Sequence, residues 1–147
     1  MAALNGLDIL SSDMGNAYLN AKPRKECHII ITDALLFGEA AFGKKAQIVR
    51  ALYGMKSSGA AWRDMISTYL KYEMRFQMCL ADNNIWYHAD MKEDGSKSYS
   101  YICIYVDNIL ICSQNTHKYM TKIGMRFFLK PESIKELDIY LSANFKK

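Results

Sequence analysis

Two apolar segments separated by one polar pair most constrain what this 147-residue chain can fold into. The segments are 101–106 and 109–112, and Asp107-Asn108 lies between them. β-Branched and aromatic residues favour strands, and a polar pair between two such strands predicts a hairpin. Both arms are apolar throughout, which predicts strands buried on both faces. An Asp at the tip of such a hairpin is costly to bury unless a cation or hydrogen-bond donors compensate its charge.

Asp107 therefore has two interpretations. It is a metal ligand, or Asp107-Asn108 only supplies turn chemistry, since both residue types tolerate a positive φ. A second acidic residue favours the metal, because a short apolar strand ends at Asp13 and a helix-like segment follows. Two carboxylates at neighbouring strand ends suit Mg²⁺, which prefers oxygen ligands and keeps substrate phosphates in its remaining positions. Asp13 also has a possible role as a helix N-cap, and the two roles are compatible.

Four sequence blocks resemble the reverse transcriptase of copia-type long-terminal-repeat retrotransposons. The block 50–63 is similar to the most recognisable stretch of that family, and 13–20 is similar to its first catalytic block. Tyr105-Val106-Asp107-Asn108 stands where the family has Tyr-Val-Asp-Asp, and 138–144 resembles the segment that closes its palm subdomain. The blocks follow the family's order over nearly the whole chain.

The resemblance implies RNA-directed DNA synthesis by two-metal nucleotidyl transfer. It implies that Asp13 and Asp107 bind two Mg²⁺ ions and that Asp13, Asp107 and Asn108 are the catalytic positions. The family has a third carboxylate at the position of Asn108, whereas asparagine offers a neutral carbonyl oxygen. We therefore expect metal occupancy to fall and polymerisation to be weak or absent.

The resemblance assigns nucleotide contacts to Tyr18, Lys56 and Ser57. Tyr18 stands where the family has a ring that excludes a ribose 2′-hydroxyl, although by itself an aromatic residue here predicts core packing. Many copia-type enzymes have Gln at the position of Ser57. The implied partners are an RNA or DNA template with its primer and deoxynucleotides. A set of basic residues has two interpretations, contact with template phosphates or, more commonly for exposed loop lysines, a solubilising surface; they are Lys22, Arg24, Lys25, Lys44 and Lys45.

The predicted elements indicate an α+β fold, with two helices packed on one face of a mainly antiparallel sheet. Helices are predicted after a cap at Ser57 or Ser58 and from a cap at Thr116 to about Phe128. The first helix has an apolar face formed by Ala61, Trp62, Met65, Ile66, Tyr69 and Leu70. Besides the hairpin arms, strands are predicted at 7–10, 27–32, 47–51, 85–88 and 139–145. By resemblance, this is a polymerase palm with part of the fingers and no thumb, one partial reverse transcriptase domain over residues 1–147.

Length and composition agree with one domain and limit other functions. The net charge of +4 permits nucleic-acid contact without demonstrating it. The four cysteines lack the Cys-x-x-Cys spacing of a zinc site. Because neither a signal-peptide pattern nor a membrane-length apolar run is present, we expect an intracellular protein, cytoplasmic or nuclear, without a transmembrane segment.

Three functions remain open. The first is the polymerase that the resemblance implies. The second is a catalytically inactive nucleic-acid-binding remnant, which Asn108 favours together with the expected lack of the thumb and ribonuclease H regions of a longer polyprotein. The third is a purely structural remnant of a transposable element.

Overall fold

The computed structural model describes residues 2–24, 27–92, 94–136, 139–140 and 143–144. The chain divides into two compact units. The sheet unit comprises Met1–Ala17 and Ile66–Lys147, and the hairpin unit comprises Tyr18–Met65. No helix in the described ranges combines the length and the apolar character needed to cross a membrane.

The described residues form ten strands, numbered here in chain order. They are β1 (Asp8–Asp13), β2 (Ile29–Ile31), β3 (Lys45–Gln47), β4 (Gln77–Met78), β5 (Ile85–Met91), β6 (Lys97–Tyr105), β7 (Asn108–Ser113), β8 (Lys135–Glu136), β9 (Ile139–Tyr140) and β10 (Ala143–Asn144). Six of them form one sheet in the sheet unit, in the order β4-β5-β6-β7-β1-β8. Every neighbouring pair in this sheet is antiparallel, which confirms the predicted mixture of helices and antiparallel sheet.

The described residues also form four α-helices: α1 (Ala2–Asn5), α2 (Ala34–Phe37), α3 (Ser58–Thr68) and α4 (Thr116–Gly124). Short 3₁₀ turns occupy Ala17–Asn20, Glu39–Ala41 and Pro131–Ser133, and a π-helical turn occupies Tyr69–Glu73. The predicted apolar face of the first helix is buried at Ala61, Trp62, Ile66 and Leu70.

The second helix differs from its prediction at both ends. Its cap is Asn115 rather than Thr116, because the Asn115 side chain accepts a hydrogen bond from the Lys118 backbone N–H at 3.1 Å. The helix ends at Gly124, before Phe128. Thr116 is instead buried in the first turn.

One face of the sheet supplies the core of the sheet unit. The buried residues of β6 and β7 alternate along each strand and are Ser98, Ser100, Ile102, Ile104, Ile109, Ile111 and Ser113. Helix α4 contacts β1 and β7 and buries Tyr119, Met120 and Ile123. The expectation that the hairpin arms are buried on both faces is wrong, since Tyr105 is 52% exposed and Val106 39% exposed. Antiparallel sheets commonly cover only one face in this way.

Two other predicted strands differ from the structure. The strand predicted at 47–51 corresponds to β3, which already ends at Gln47. Beyond it the Ala51 N–H donates to the Ala21 carbonyl, so Ala51 does not continue the pairing with β2. The single strand predicted at 139–145 is replaced by the two short strands β9 and β10, which pair with each other. Phe145 and Asp138 lie outside the described residues.

The hairpin unit contains the two-stranded sheet of β2 and β3. Asp33 caps α2 by accepting a hydrogen bond from the Leu35 N–H at 2.7 Å. Several large apolar side chains in this unit are more than half exposed, namely Ile29, Ile31, Leu35, Leu36, Phe42 and Val49.

Candidate functional site

The hairpin that carries Asp107 has a tip one residue earlier than predicted. Tyr105 pairs with Asn108, so the loop is Val106-Asp107 and Asn108 is the first residue of β7. This register places Ile104 opposite Ile109 on the buried face. A loop at Asp107-Asn108 would instead place Val106 opposite Ile109, so side-chain pairing outweighs the turn preference of the polar pair.

Val106 is strained by this arrangement. Its φ is 58°, in the left-handed region that β-branched residues avoid. A positive φ at the first of two loop positions alone is the pattern of a type II′ turn, which normally has Gly there. Such a backbone conformation costs about 1–3 kcal/mol and persists because the surrounding strand pairs fix it.

The structure brings Asp13, Asp107 and Asn108 together at one end of the sheet. Asp13 lies opposite Asn108 in the β1–β7 pair. The Met14 N–H donates to the Asp107 carbonyl at 2.7 Å, which joins the end of β1 to the hairpin loop. The Asn108 side-chain amide donates to Asp107 Oδ1 at 3.3 Å. All three side chains are half-buried and therefore accessible to a ligand.

A distant segment holds the backbone of Asp13. The Lys130 N–H donates to the Asp13 carbonyl at 2.9 Å, and the Asp13 N–H donates to Ser133 Oγ at 2.8 Å. The Ser133 hydroxyl in turn donates to the Lys130 carbonyl at 2.7 Å. Sequence reasoning missed Lys130 and Ser133, because no local pattern shows a contact across 120 residues.

Lys130 also approaches the Asp13 side chain. Its ammonium nitrogen lies 3.9 Å from Asp13 Oδ2, and each side chain is 42% exposed. The carboxylate of Asp13 therefore has a cation of the same chain beside it.

The donor chemistry of this end of the sheet fits a divalent cation. Carboxylate oxygens of Asp13 and Asp107 and the amide oxygen of Asn108 are the ligand types that Mg²⁺ prefers. Together these three side chains carry two negative charges, whereas three carboxylates would carry three. Within the described part of the chain, no three His, Cys, Asp or Glu side chains gather where they could share a metal ion.

The predicted nucleotide contacts lie in the hairpin unit. The ring of Tyr18 packs on that of Tyr53 with centroids 4.5 Å apart, so Tyr18 contacts the 50–63 block. The Tyr18 hydroxyl lies beside Gly59, since it would be in ordinary van der Waals contact, at 3.6 Å, with a Cβ at that position. Lys56 is exposed and Ser57 is half-buried.

Backbone hydrogen bonds fix the turn that follows Tyr18. The Ala21 N–H donates to the Tyr18 carbonyl, and the Ala51 N–H donates to the Ala21 carbonyl, each at 3.0 Å. Arg50 donates a further hydrogen bond to the Asn20 carbonyl at 3.3 Å. Tyr18 is therefore held on a braced turn.

The basic residues considered for phosphate contact differ in their surroundings. Lys22, Lys44 and Lys45 are exposed. Arg24 forms an ion pair with Asp64, so its guanidinium is engaged within the hairpin unit. Lys25 lies outside the described residues.

A second polar cluster, which sequence reasoning missed, lies between α4 and the sheet. Asp90 Oδ2 accepts hydrogen bonds from the Ser100 hydroxyl at 2.5 Å and the Tyr119 hydroxyl at 2.6 Å. Partial burial acts to raise the pKa of Asp90, but these hydrogen bonds and the nearby His88 and Lys118 outweigh it and lower the pKa below its ordinary value. Burial and the hydrogen bond to Asp90 raise the pKa of Tyr119 to about 12. The cluster therefore joins α4 to β5 and β6.

Comparison with known proteins agrees with the resemblance. Residues 1–147 match the family described as reverse transcriptase (RNA-dependent DNA polymerase). The chain is 27% identical over 146 residues to the Transposon Ty1-MR1 and Ty1-BL Gag-Pol polyproteins of Saccharomyces cerevisiae. These matches cover 94% of the chain and 7% of each relative, so the chain spans a small part of their length. The chain therefore belongs to the reverse transcriptase (RNA-dependent DNA polymerase) family and is a reverse transcriptase-like domain of the copia type.

Proposed function

We propose that the sheet unit is a polymerase palm, that the hairpin unit is part of the fingers, and that the chain acts in RNA-directed DNA synthesis. The observation that carries the proposal is the pairing of Asp13 with Asn108, with Asp107 joined to the same strand end through the Met14 N–H. Two strand ends thereby present oxygen ligands on one accessible edge.

Asp13 and Asp107 are the proposed ligands of Mg²⁺, with the Asn108 carbonyl oxygen as a neutral third donor. When bound, a pair of such ions activates a nucleophilic oxygen and stabilises the leaving oxygen of phosphoryl transfer. The chain's own contribution is rigidity, because hydrogen bonds hold both the N–H and the carbonyl of Asp13. The site has two negative charges, whereas three carboxylates would supply three. It should therefore bind metal weakly, and the chain should polymerise nucleotides slowly or not at all.

Tyr18, Lys56 and Ser57 are the proposed nucleotide contacts. The packing of Tyr18 on Tyr53 supports a fixed ring that could exclude a ribose 2′-hydroxyl. Exposed Lys56 is suited to a phosphate, and the Ser57 hydroxyl can take the place of the amide that many copia-type enzymes have there.

The proposed partners are an RNA or DNA template with its primer and deoxynucleotides. These substrates favour an intracellular place of action, cytoplasmic or nuclear. Since the relatives are Gag-Pol polyproteins many times longer than this chain, other polyprotein regions, including a thumb and a ribonuclease H, are further proposed partners.

Primer extension on an RNA template with Mg²⁺ tests the proposal. The native chain is compared with Asn108→Asp, which restores a third carboxylate, and with Asp13→Ala, which removes a proposed ligand. We expect little extension by the native chain, a gain of at least about tenfold in Asn108→Asp, equivalent to about 1.4 kcal/mol of barrier, and none in Asp13→Ala. If all three variants are folded and silent, the polymerase proposal fails for this chain.

A second candidate function is nucleic-acid binding without catalysis, which the neutral Asn108 favours. It predicts salt-sensitive binding of an RNA:DNA hybrid and no nucleotide incorporation. Replacing exposed Lys44 and Lys45 with Gln should then weaken binding and lower its salt dependence, whereas Lys97→Gln in the sheet unit serves as a charge-matched control for each single change. A chain that binds no hybrid at low salt and does not respond to Mg²⁺ would be a structural remnant.

A further inference from the structure

The candidate metal site contains a cation that belongs to the protein. The Lys130 ammonium lies 3.9 Å from Asp13 Oδ2, one of the two carboxylate oxygens that a metal ion could bind. Its backbone is anchored, because the Lys130 N–H donates to the Asp13 carbonyl and its own carbonyl accepts from Ser133. The position of the side chain is therefore built into the turn that braces Asp13.

We propose that Lys130 is an internal counter-cation of the candidate metal site, and that a divalent cation must displace its ammonium from Asp13 in order to bind. This inference rests on the proposed metal-binding role of Asp13 and Asp107. It adds a residue that regulates occupancy of that site.

The charges near Asp13 support this role. Asp13 and Asp107 supply two negative charges, and Lys130 supplies one positive charge. The second carboxylate is also engaged, since the Asn108 amide donates to Asp107 Oδ1 at 3.3 Å. Each carboxylate thus has a positive or hydrogen-donating partner from the chain, and a metal ion must compete with both.

The side chain and the backbone of Lys130 have separable roles. The backbone N–H and carbonyl brace Asp13 whatever side chain the residue carries. Lys130→Met keeps these hydrogen bonds and most of the side-chain length, and removes only the charge. Lys130→Arg keeps the charge.

The test measures Mn²⁺ binding to the full chain by electron paramagnetic resonance of the free ion, without nucleic acid. The variants are native, Lys130→Met, Lys130→Arg and Lys97→Met, each also made with Asn108→Asp. Lys97 begins β6, eight residues along the strand from Tyr105, so it lies about 26 Å away, well beyond the range of screened charge. Melting temperatures verify folding, and Lys130→Gln replaces Lys130→Met if the latter does not fold.

Because exposed ion pairs are weak, we expect Lys130→Met to lower the Kd for Mn²⁺ about two- to fivefold. Lys130→Arg and Lys97→Met should leave the Kd unchanged. An unchanged Kd in Lys130→Met, or an equal decrease in Lys97→Met, overturns the inference while the metal site stands. If no variant binds Mn²⁺, including Asn108→Asp, the metal site falls and the inference with it.

Discussion

Asp13 lies directly opposite Asn108 across the antiparallel pair of β1 and β7. Residue 108 also follows Asp107, so a neutral amide separates two carboxylates at this end of the sheet. Whether the neutral side chain of Asn108 makes the folded chain more or less stable than a carboxylate would depends on whether a divalent cation is present.

Asn108→Asp should lower the melting temperature in the absence of divalent cations and raise it in their presence. A third carboxylate opposite Asp13 adds repulsion that we expect to lower the melting temperature by about 1–4 °C in a chelator. Millimolar Mg²⁺ should reverse this shift, because a ligand that binds only the folded state stabilises it. Gln47→Glu makes the same charge change on β3 and should show no Mg²⁺ response. A Mg²⁺ response equal in both variants would contradict the prediction.

Acid should destabilise the chain partly through Asp90. Because the folded state lowers the pKa of Asp90 below its ordinary value of 3.8, its charged form stabilises the fold. This stabilisation is complete above the ordinary value and is lost as the pH falls through the lower folded pKa. Urea midpoints between about pH 5 and pH 2 should therefore fall more steeply for the native chain than for Asp90→Asn. Glu132→Gln controls for the loss of one negative charge, and parallel curves for native and Asp90→Asn would disprove the role of Asp90.

Gly15→Ala should destabilise the chain through Phe128. A Cβ at Gly15 would overlap the Phe128 ring, with Cε1 only 2.8 Å away. The Phe128 ring is 62% exposed and can turn partly aside, so we expect a loss at the low end of the cost of overpacking, about 1 kcal/mol of unfolding free energy. Phe128→Leu should recover part of the loss, so the two changes should be non-additive in urea unfolding.

Gly124→Ala is the matched glycine control, since its Cβ would meet only Leu129 Cδ1 at 3.6 Å. Alanine is favoured at the end of α4, so this variant should be neutral or up to about 1 kcal/mol more stable. Equal losses at Gly15 and Gly124 would show that the Phe128 ring is not the cause.

Val106→Gly should stabilise the folded chain. Glycine relieves the left-handed strain at φ 58° but adds entropy to the unfolded chain, so we expect a net gain of about 0.5–1 kcal/mol in unfolding free energy. Val49, which is exposed and has no positive φ, provides the control. Val49→Gly should lose stability by about the same amount. A loss at both positions would contradict strain at Val106.

The sequence predicted the hairpin from its local apolar pattern, whereas the proximity of Asp13 to Asp107 was predicted from two strand ends together with the family resemblance. The register of the hairpin was predicted incorrectly, since the turn preference of Asp107-Asn108 yields to the pairing of Ile104 with Ile109. Residue preferences alone do not show whether the energy of the turn or the energy of side-chain pairing decides the register.

Contacts between distant parts of the chain were not predictable in the same way. Nothing around Lys130 or Ser133 marks them as partners of Asp13, because a short 3₁₀ turn after a helix has the same local pattern whatever it packs against. The cluster of Asp90, Ser100 and Tyr119 was missed for the same reason, since its members belong to different elements. The roles of Tyr18, Lys56 and Ser57 remain predictions.

The bracing of Asp13 by Ser133 has a consequence for the order of events in biosynthesis. The two residues are 120 positions apart, and among the described strands β1 pairs with β7 and β8, which both come in the later part of the sheet unit. During translation, β1 can therefore form its strand pairs only after most of the sheet unit has been synthesised. The end of the sheet that carries Asp13 should be among the last parts of the sheet unit to resist a protease, and ribosome-bound chains truncated before Ser133 should leave β1 open to cleavage.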